Sequence, residues 1–316
     1  MPALHAAPRP LPEAAVLARL AGVRHRYGAV TALDGLDLSL HAGEMLALLG
    51  PNGAGKSTAI GLLTGLLRAQ AGRVELCGGD PRDPARRQAL GVMLQEAQLP
   101  ETLTVRELLQ QASAAYAMPR PEAETLALAG LEALARRRYG VLSGGQQRRV
   151  QFALAICGRP RVVLVDEPTT GLDAEARRAF WAVLRSLREA GAALLLTTHY
   201  LEEADALADR VVVLREGRIV AEGTPRQLKA RSGVARLRAV SALDPAEVAG
   251  LPGVLEAWRE GAVLQVRCRD ASALARELLS RDAALSGLEI QSASLEESVL
   301  GLVAGGAAAQ DVEAAA

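Results

Sequence analysis

Apolar residues recur along this chain in two rhythms. Short, wholly apolar runs stand at 45–49, 162–165 and 192–196. Runs of that length suit parallel strands covered on both faces. Around them the spacing turns helical. Phe180, Leu184 and Leu187 lie along one stripe of a helix that Asp173 caps and Gly191 ends. Residues 104–134 keep a helical pattern that Pro119 and Pro121 interrupt. Leu36, Leu38 and Leu40 alternate instead with Asp37 and Ser39, the period of a half-buried strand.

Read in order, the pattern predicts a strand over 16–21, a polar stretch over 24–28, and strands over 36–40 and 44–49. A helix follows over 58–67, then strands within 72–79 and over 91–94. Ser143 opens a new helix, with Gln146 three residues on to complete a capping box, and Pro160 bars its continuation past Gly158. Strands at 162–165 and 192–198 flank the helix after Asp173. A hairpin about Glu216 and Gly217 and a helix from Thr224 and Pro225 close the series. Such alternation argues an α/β domain over 16–232 with a largely parallel sheet and an antiparallel portion from the leading strands. Beyond 232 the texture changes. Strands near 236–240, 255–259, 263–267 and 288–292 interleave with helices near 245–249, 271–279 and 295–303. These predict a small α+β domain over 233–303, with a disordered lead-in at 1–15 and a disordered tail at 304–316.

Candidate chemistry begins where the strand at 44–49 ends. Gly50, Pro51, Asn52, Gly53, Ala54, Gly55, Lys56, Ser57 and Thr58 fit G-x-x-x-x-G-K-[ST] between a strand and a helix. Glycines let successive N–H groups curl round an anion, and the helix start adds partial positive charge. Lys56 reaches the outer phosphates of a nucleoside triphosphate, and the Ser57 hydroxyl suits Mg²⁺. Lys56 and Lys229 are the chain's only lysines among 36 basic residues, so a compact ammonium is kept here by choice.

A second cluster sits at strand ends. Asp166 and Glu167 follow the apolar run 162–165, where α/β proteins bind ligands. Asp166 suits Mg²⁺, a cation of hard oxygens, and Glu167 is then free to polarise an attacking water. His199 ends the strand at 192–198 and is placed to meet a γ-phosphate or fix the water, although a histidine there also serves structure. Gln95, at another strand end, can complete the metal's coordination.

Composition narrows the setting. Basic and acidic residues balance at 36 each, which gives no field to draw nucleic acid, and none is expected as a partner. Cys77, Cys157 and Cys268 form no C-x-x-C pair and read as reduced thiols of a cytoplasmic protein. Pro2, Pro8, Pro10 and Pro12 break the apolar stretch that a secretory leader needs. No apolar run approaches the ~18 residues of a membrane span. Work at a membrane therefore calls for another chain.

Leu142, Ser143, Gly144, Gly145 and Gln146 resemble the signature motif of ATP-binding-cassette (ABC) ATPases. The order of motifs is similar to that family's. Tyr27 stands like the adenine-stacking aromatic, though a tyrosine before a strand also packs. The phosphate loop, Gln95 like the Q-loop, the signature, and 162–167 like a Walker B strand follow in turn. Gly171, Leu172 and Asp173 resemble the D-loop, and His199 the switch histidine. The resemblance covers roughly residues 16–230. It implies a P-loop ATPase fold with a helical subdomain, two domains head to tail around two ATPs, and a site shared between copies. Ser143, Gly144 and Gly145 of one copy would then meet ATP held by the other. One set of motifs implies a homodimer or a heterodimer with a similar subunit.

The stretches 91–96 and 103–107 are similar to the branch that energises drug and small-molecule exporters, daunorubicin-type export ATPases among them. Residues 294–300 resemble the end of that branch's extra domain. In that branch the ATPase is a separate polypeptide held at the inner face of the cell membrane by a multispanning permease, which the segment after Gln95 meets. An importer ATPase and a nontransport ABC ATPase are the rival readings. The small domain either steadies the dimer or regulates it.

Overall fold

The computed structural model describes residues 15–95, 97–231, 234–292 and 295–299 of the 316. The tail, nearly all of the expected lead-in, the boundary at 232–233 and the last helix beyond 299 lie outside the described residues. The chain folds as two units, one running to His199 and taking in 207–209 and 214–219, the other comprising 200–206, 210–213 and the residues from 220 onward.

In the first unit β1 (Val16–Tyr27), β2 (Val30–His41) and β3 (Met45–Leu49) precede α1 (Lys56–Leu63) and β4 (Ala71–Leu76). Next come α2 (Pro84–Arg87), β5 (Leu90–Met93), α3 (Val105–Ser113), α4 (Glu122–Leu128) and α5 (Gly144–Ile156). The last are β6 (Val162–Asp166), α6 (Ala174–Glu189) and β7 (Ala193–Thr197). Strands β5, β6, β7 and β3 lie side by side in that order and run parallel. Every position of β3, β6 and β7 is buried, the reason their sequences are apolar save for the last residues of β6 and β7, Asp166 and Thr197. Phe152 of α5 meets Phe180 of α6 with ring centroids 4.5 Å apart, in a core that Leu184 and Leu187 extend. An antiparallel sheet of order β2-β1-β4 forms the other sheet of this unit.

Three local expectations need correcting. The polar stretch after residue 21 is still strand: Arg24 pairs with Asp34 and Tyr27 with Val30, and an Arg24–Asp34 ion pair at 3.2 Å holds the polar part to β2. Helix α1 stops at Leu63 rather than 67, because Gly65 turns left-handed at φ 71° and the Thr64 hydroxyl donates to the Gly61 carbonyl at 3.0 Å. The helical stretch 104–134 is α3, α4 and a 3-10 turn at Glu132–Leu134, split at the prolines.

After β7 come α7 (Leu201–Leu207), which the pattern did not predict, β8 (Arg210–Arg215), β9 (Arg218–Gly223) and α8 (Pro225–Arg231). The remainder of the second unit is β10 (Ala235–Val240), α9 (Pro245–Ala249), β11 (Val254–Glu260), β12 (Val263–Cys268), α10 (Ala271–Arg281) and β13 (Ser286–Ser292). Residues 295–299 are helical. Its sheet has the order β11-β12-β10-β13, antiparallel throughout, which is the split β-α-β arrangement of ferredoxin-like units. Leu237, Leu264, Val266, Leu274 and Leu278 pack between this sheet and α10.

Candidate functional site

Strand β3 delivers the chain into the phosphate loop. Gly50 has φ 148°, and a Cβ there would lie 2.3 Å from the Leu214 carbonyl oxygen. Gly55, at φ 108°, would place a Cβ 2.5 Å from the Ala32 carbonyl oxygen. Both positions demand glycine for backbone approach as well as for conformation. Gly55 is also the N-cap of α1 and offers no side chain to the helix's first N–H groups. Those donors have no capping side chain at Gly55, as suits an anion site. Lys56 is buried, and its Nζ donates to the carbonyls of Gly50 at 2.7 Å and Pro51 at 3.1 Å. Burial pushes its pKa down, while Glu167 and Asp166 pull it back up. An entering polyphosphate would replace two neutral acceptors with charged ones, a favourable exchange for a desolvated ammonium.

Asp166 closes β6 and is buried; its Oδ1 accepts from the hydroxyl of Thr197, the residue paired with it on β7. Glu167 follows in the left-handed region at φ 48°, a conformation uncommon outside glycine. Its N–H donates to the Thr197 carbonyl at 3.0 Å. Both carboxylate oxygens are engaged: Oε1 lies 2.6 Å from His199 Nε2, and Oε2 accepts from Gln95 Nε2 at 3.0 Å. The turn thus turns the Glu167 carboxylate toward the ends of β5 and β7.

One cleft is lined by Tyr27, Asn52, Lys56, Ser57, Gln95, Asp166 and Glu167, among others. Residues from the ends of β1, β5 and β6 therefore line one cleft with the phosphate loop and the first turn of α1. His199 is not in that lining and joins the cleft through Glu167. Tyr27 is half exposed at its rim and packs edge-on against His25 at 4.8 Å, so both expected roles are open to it. The donor set for a cation is a hydroxyl (Ser57), a carboxylate (Asp166) and an amide (Gln95). No group of three His, Cys, Asp or Glu side chains could cage a metal among the described residues. Hard oxygen donors with few protein ligands fit Mg²⁺, which keeps waters and takes the rest of its shell from phosphates.

The Ser143 motif stands apart. Ser143 caps α5 with the full capping box: Gln146 N–H donates to Ser143 Oγ at 3.3 Å, and Ser143 N–H to Gln146 Oε1 at 3.0 Å. Ser143 and Gly144 are exposed, and neither they nor Gly145, Gln146 or Asp173 line the cleft. Asp173 accepts from Ala176 N–H at 2.8 Å as the cap of α6. A residue absent from the expected set appears here too. Arg148 of α5 bonds to backbone on both sides of the cleft wall, at Gln95 and at Glu167.

The described geometry has counterparts among known proteins. A family model described as "ABC transporter" matches residues 33–170. The chain is 44% identical over 216 residues to Nod factor export ATP-binding protein I of Burkholderia lata, covering 65% of this chain and 70% of that protein. It is 43% identical over 227 residues to daunorubicin resistance ATP-binding protein DrrA3 of Streptomyces coeruleorubidus, covering 69% and 72%. Among solved structures it resembles an ATP-binding subunit of an ABC transporter, with TM-score 0.64 and 30% identity over 69% of this chain and 93% of that one. A dimeric bacterial ABC transporter cassette matches with TM-score 0.61 and 27% identity over 66% and 98%.

Proposed function

The chain belongs to the ABC transporter family as an ATP-hydrolysing export subunit, and from that premise we propose how its residues divide the work and what it moves. Lys56 and the backbone N–H groups of the phosphate loop hold the β- and γ-phosphates, and Tyr27 stacks on the base. Ser57, Asp166 and Gln95 would hold Mg²⁺, which would supply charge neutralisation at the phosphates. Glu167 is the general base. It takes a proton from water as the water oxygen bonds to the γ-phosphorus and the bond to the bridging oxygen breaks, leaving ADP and phosphate. His199 and Gln95 hold its two oxygens apart and aimed. The observation that carries this reading is the convergence of Lys56, Ser57, Gln95, Asp166 and Glu167 on one cleft.

The Ser143 motif completes the site of a second copy. Its exposed, capped helix start, away from its own cleft, supports a head-to-tail dimer, of like chains or of this chain with a similar subunit. Residues 16–232 form the ATPase cassette and 233–303 an accessory domain. The chain works through a separate permease at the cytoplasmic face; among the described residues no helix is long and apolar enough to cross a membrane. A second, more apolar cleft suits that partner. It is lined by Leu66, Val92, Leu94, Leu99, Tyr116 and Leu154 among others, with Leu66 69% exposed, directly beside the Gln95 segment. The cargo is a drug or other small molecule, by likeness to relatives named for Nod factor export and daunorubicin resistance.

Glu167→Gln tests the chemistry. It should keep ATP binding and lower turnover by at least ~10²-fold; near-normal turnover sinks the assignment. Tagged Glu167→Gln protein, captured from native membranes with Mg-ATP, should bring down one multispanning protein. Its sequence decides export against import, and recovery of ribosomal or DNA-bound proteins alone overturns the permease proposal.

A further inference from the structure

Arg148 sits where three separated segments come together. Its Nη1 donates to the carbonyls of Leu94 at 3.1 Å and Gln95 at 3.0 Å, and to Gln151 Oε1 at 3.0 Å. Its Nη2 donates to the Glu167 carbonyl at 2.8 Å. One guanidinium therefore ties the backbone of residue 95 to the backbone of residue 167, across 53 and 19 positions of sequence. Gln151 carries the same network outward, donating to Tyr139 Oη at 3.1 Å and the Ala97 carbonyl at 3.4 Å. The neighbouring arginine does something different: Arg149 Nη1 donates to the Gly130 carbonyl at 3.0 Å, a contact between helical parts remote from the cleft.

Two features say that this placement serves more than packing. Glu167 holds a left-handed backbone conformation, and such strain persists only where surrounding bonds over-determine it. Its N–H is fixed by Thr197 and its C=O by Arg148, so both peptide groups flanking the strained residue are tied. Meanwhile Gln95, whose side chain grips the Glu167 carboxylate, has its own carbonyl on the same guanidinium. Burial pushes the Arg148 pKa down, with Glu167 and Asp166 pulling it back up. A charge is thus carried into a partly desolvated position to bond mostly with neutral carbonyls, which packing alone does not call for.

We infer that Arg148 is a positioning residue for ATP hydrolysis, a planar fork that keeps the Gln95 and Glu167 turns in register so that the carboxylate faces the attacking water. This rests on the assignment of Glu167 as base. A lysine cannot replace it, because one nitrogen with three donors does not span acceptors on opposite sides of the fork.

The test uses the full chain, with nucleotide affinity measured by equilibrium titration and turnover by phosphate release. Arg148→Lys should lower kcat by roughly 10- to 100-fold while leaving nucleotide Kd within about threefold, since misplacement acts on chemistry rather than on the phosphate loop. Arg148→Gln should lower kcat further with the same Kd. The pair Arg148→Lys with Glu167→Gln should be no slower than Glu167→Gln alone, because a fork acting through Glu167 has nothing left to aim. Wild-type turnover in Arg148→Lys overturns the inference, and so do losses that multiply in the pair or a Kd that weakens in step with kcat. Failure of the underlying reading shows separately, as near-normal turnover of Glu167→Gln by itself.

Discussion

Helices α1 and α5 both begin with glycines, and they meet their unpaired N–H groups in opposite ways. At α1 the cap is Gly55, left-handed and without a side chain, so the first turn has no side-chain partner of its own. At α5 the cap is Ser143, and a reciprocal bond with Gln146 satisfies two donors. The first helix start offers its N–H groups no side-chain acceptor; the second supplies one itself, to the Gln146 N–H. On the roles proposed above, the difference separates a site that binds from a site that responds to what another copy has already bound.

Substitutions at the two caps put numbers on that contrast. Gly55→Ala should act most strongly, since its Cβ meets backbone at 2.5 Å and the residue must keep φ 108°. Nucleotide affinity should fall by roughly 10²-fold, as the loop shifts off its phosphate-binding geometry, and titration that finds it unchanged breaks the comparison. Ser143→Ala should cost about 1 kcal/mol of stability through the lost cap, read as a melting point lower by about 2–4 °C. Affinity for nucleotide in dilute, single chains should stay as it was, whereas turnover at concentrations that favour dimers should fall at least ~10-fold, as for a lost phosphate donor. Weakened binding in dilute chains would instead place Ser143 in its own cleft. Gln146→Ala should do least, at about 0.5 kcal/mol for one exposed hydrogen bond, with a smaller loss of turnover than Ser143→Ala.

How far these features can be read from sequence depends on what carries them. The phosphate loop, the Ser143 cap and the buried strands are local patterns, and each stands where its residues predict. The antiparallel register of Arg24 to Tyr27 was hidden because Arg24, Arg26 and Tyr27 are exposed and the buried position among them is a histidine, so no apolar alternation shows. Helix α7 spans only seven residues and has Glu202 and Glu203 in its first turn, too short for its period to declare itself. Among the site residues, the cleft gathers those at strand ends, whose neighbours follow from a parallel sheet. Arg148 escaped for a different reason: three of its four partners are backbone oxygens, which every residue has. A signal was present in one respect only, an arginine at the fourth position after the Ser143 glycine start, on the helix that leads back under β6.

The sheet order of the second unit, β11-β12-β10-β13, sets a limit on how that part of the chain can be divided. Its halves are β10-α9-β11 and β12-α10-β13, and no two strands of the same half are neighbours. Each rung of the ladder joins one half to the other. A cut at the Gly261 turn therefore leaves two fragments without a single strand pair between them, while every pair returns when the halves recombine. Such a unit is inherited or lost whole: trimming it gradually would pass through forms that have no sheet to fold around.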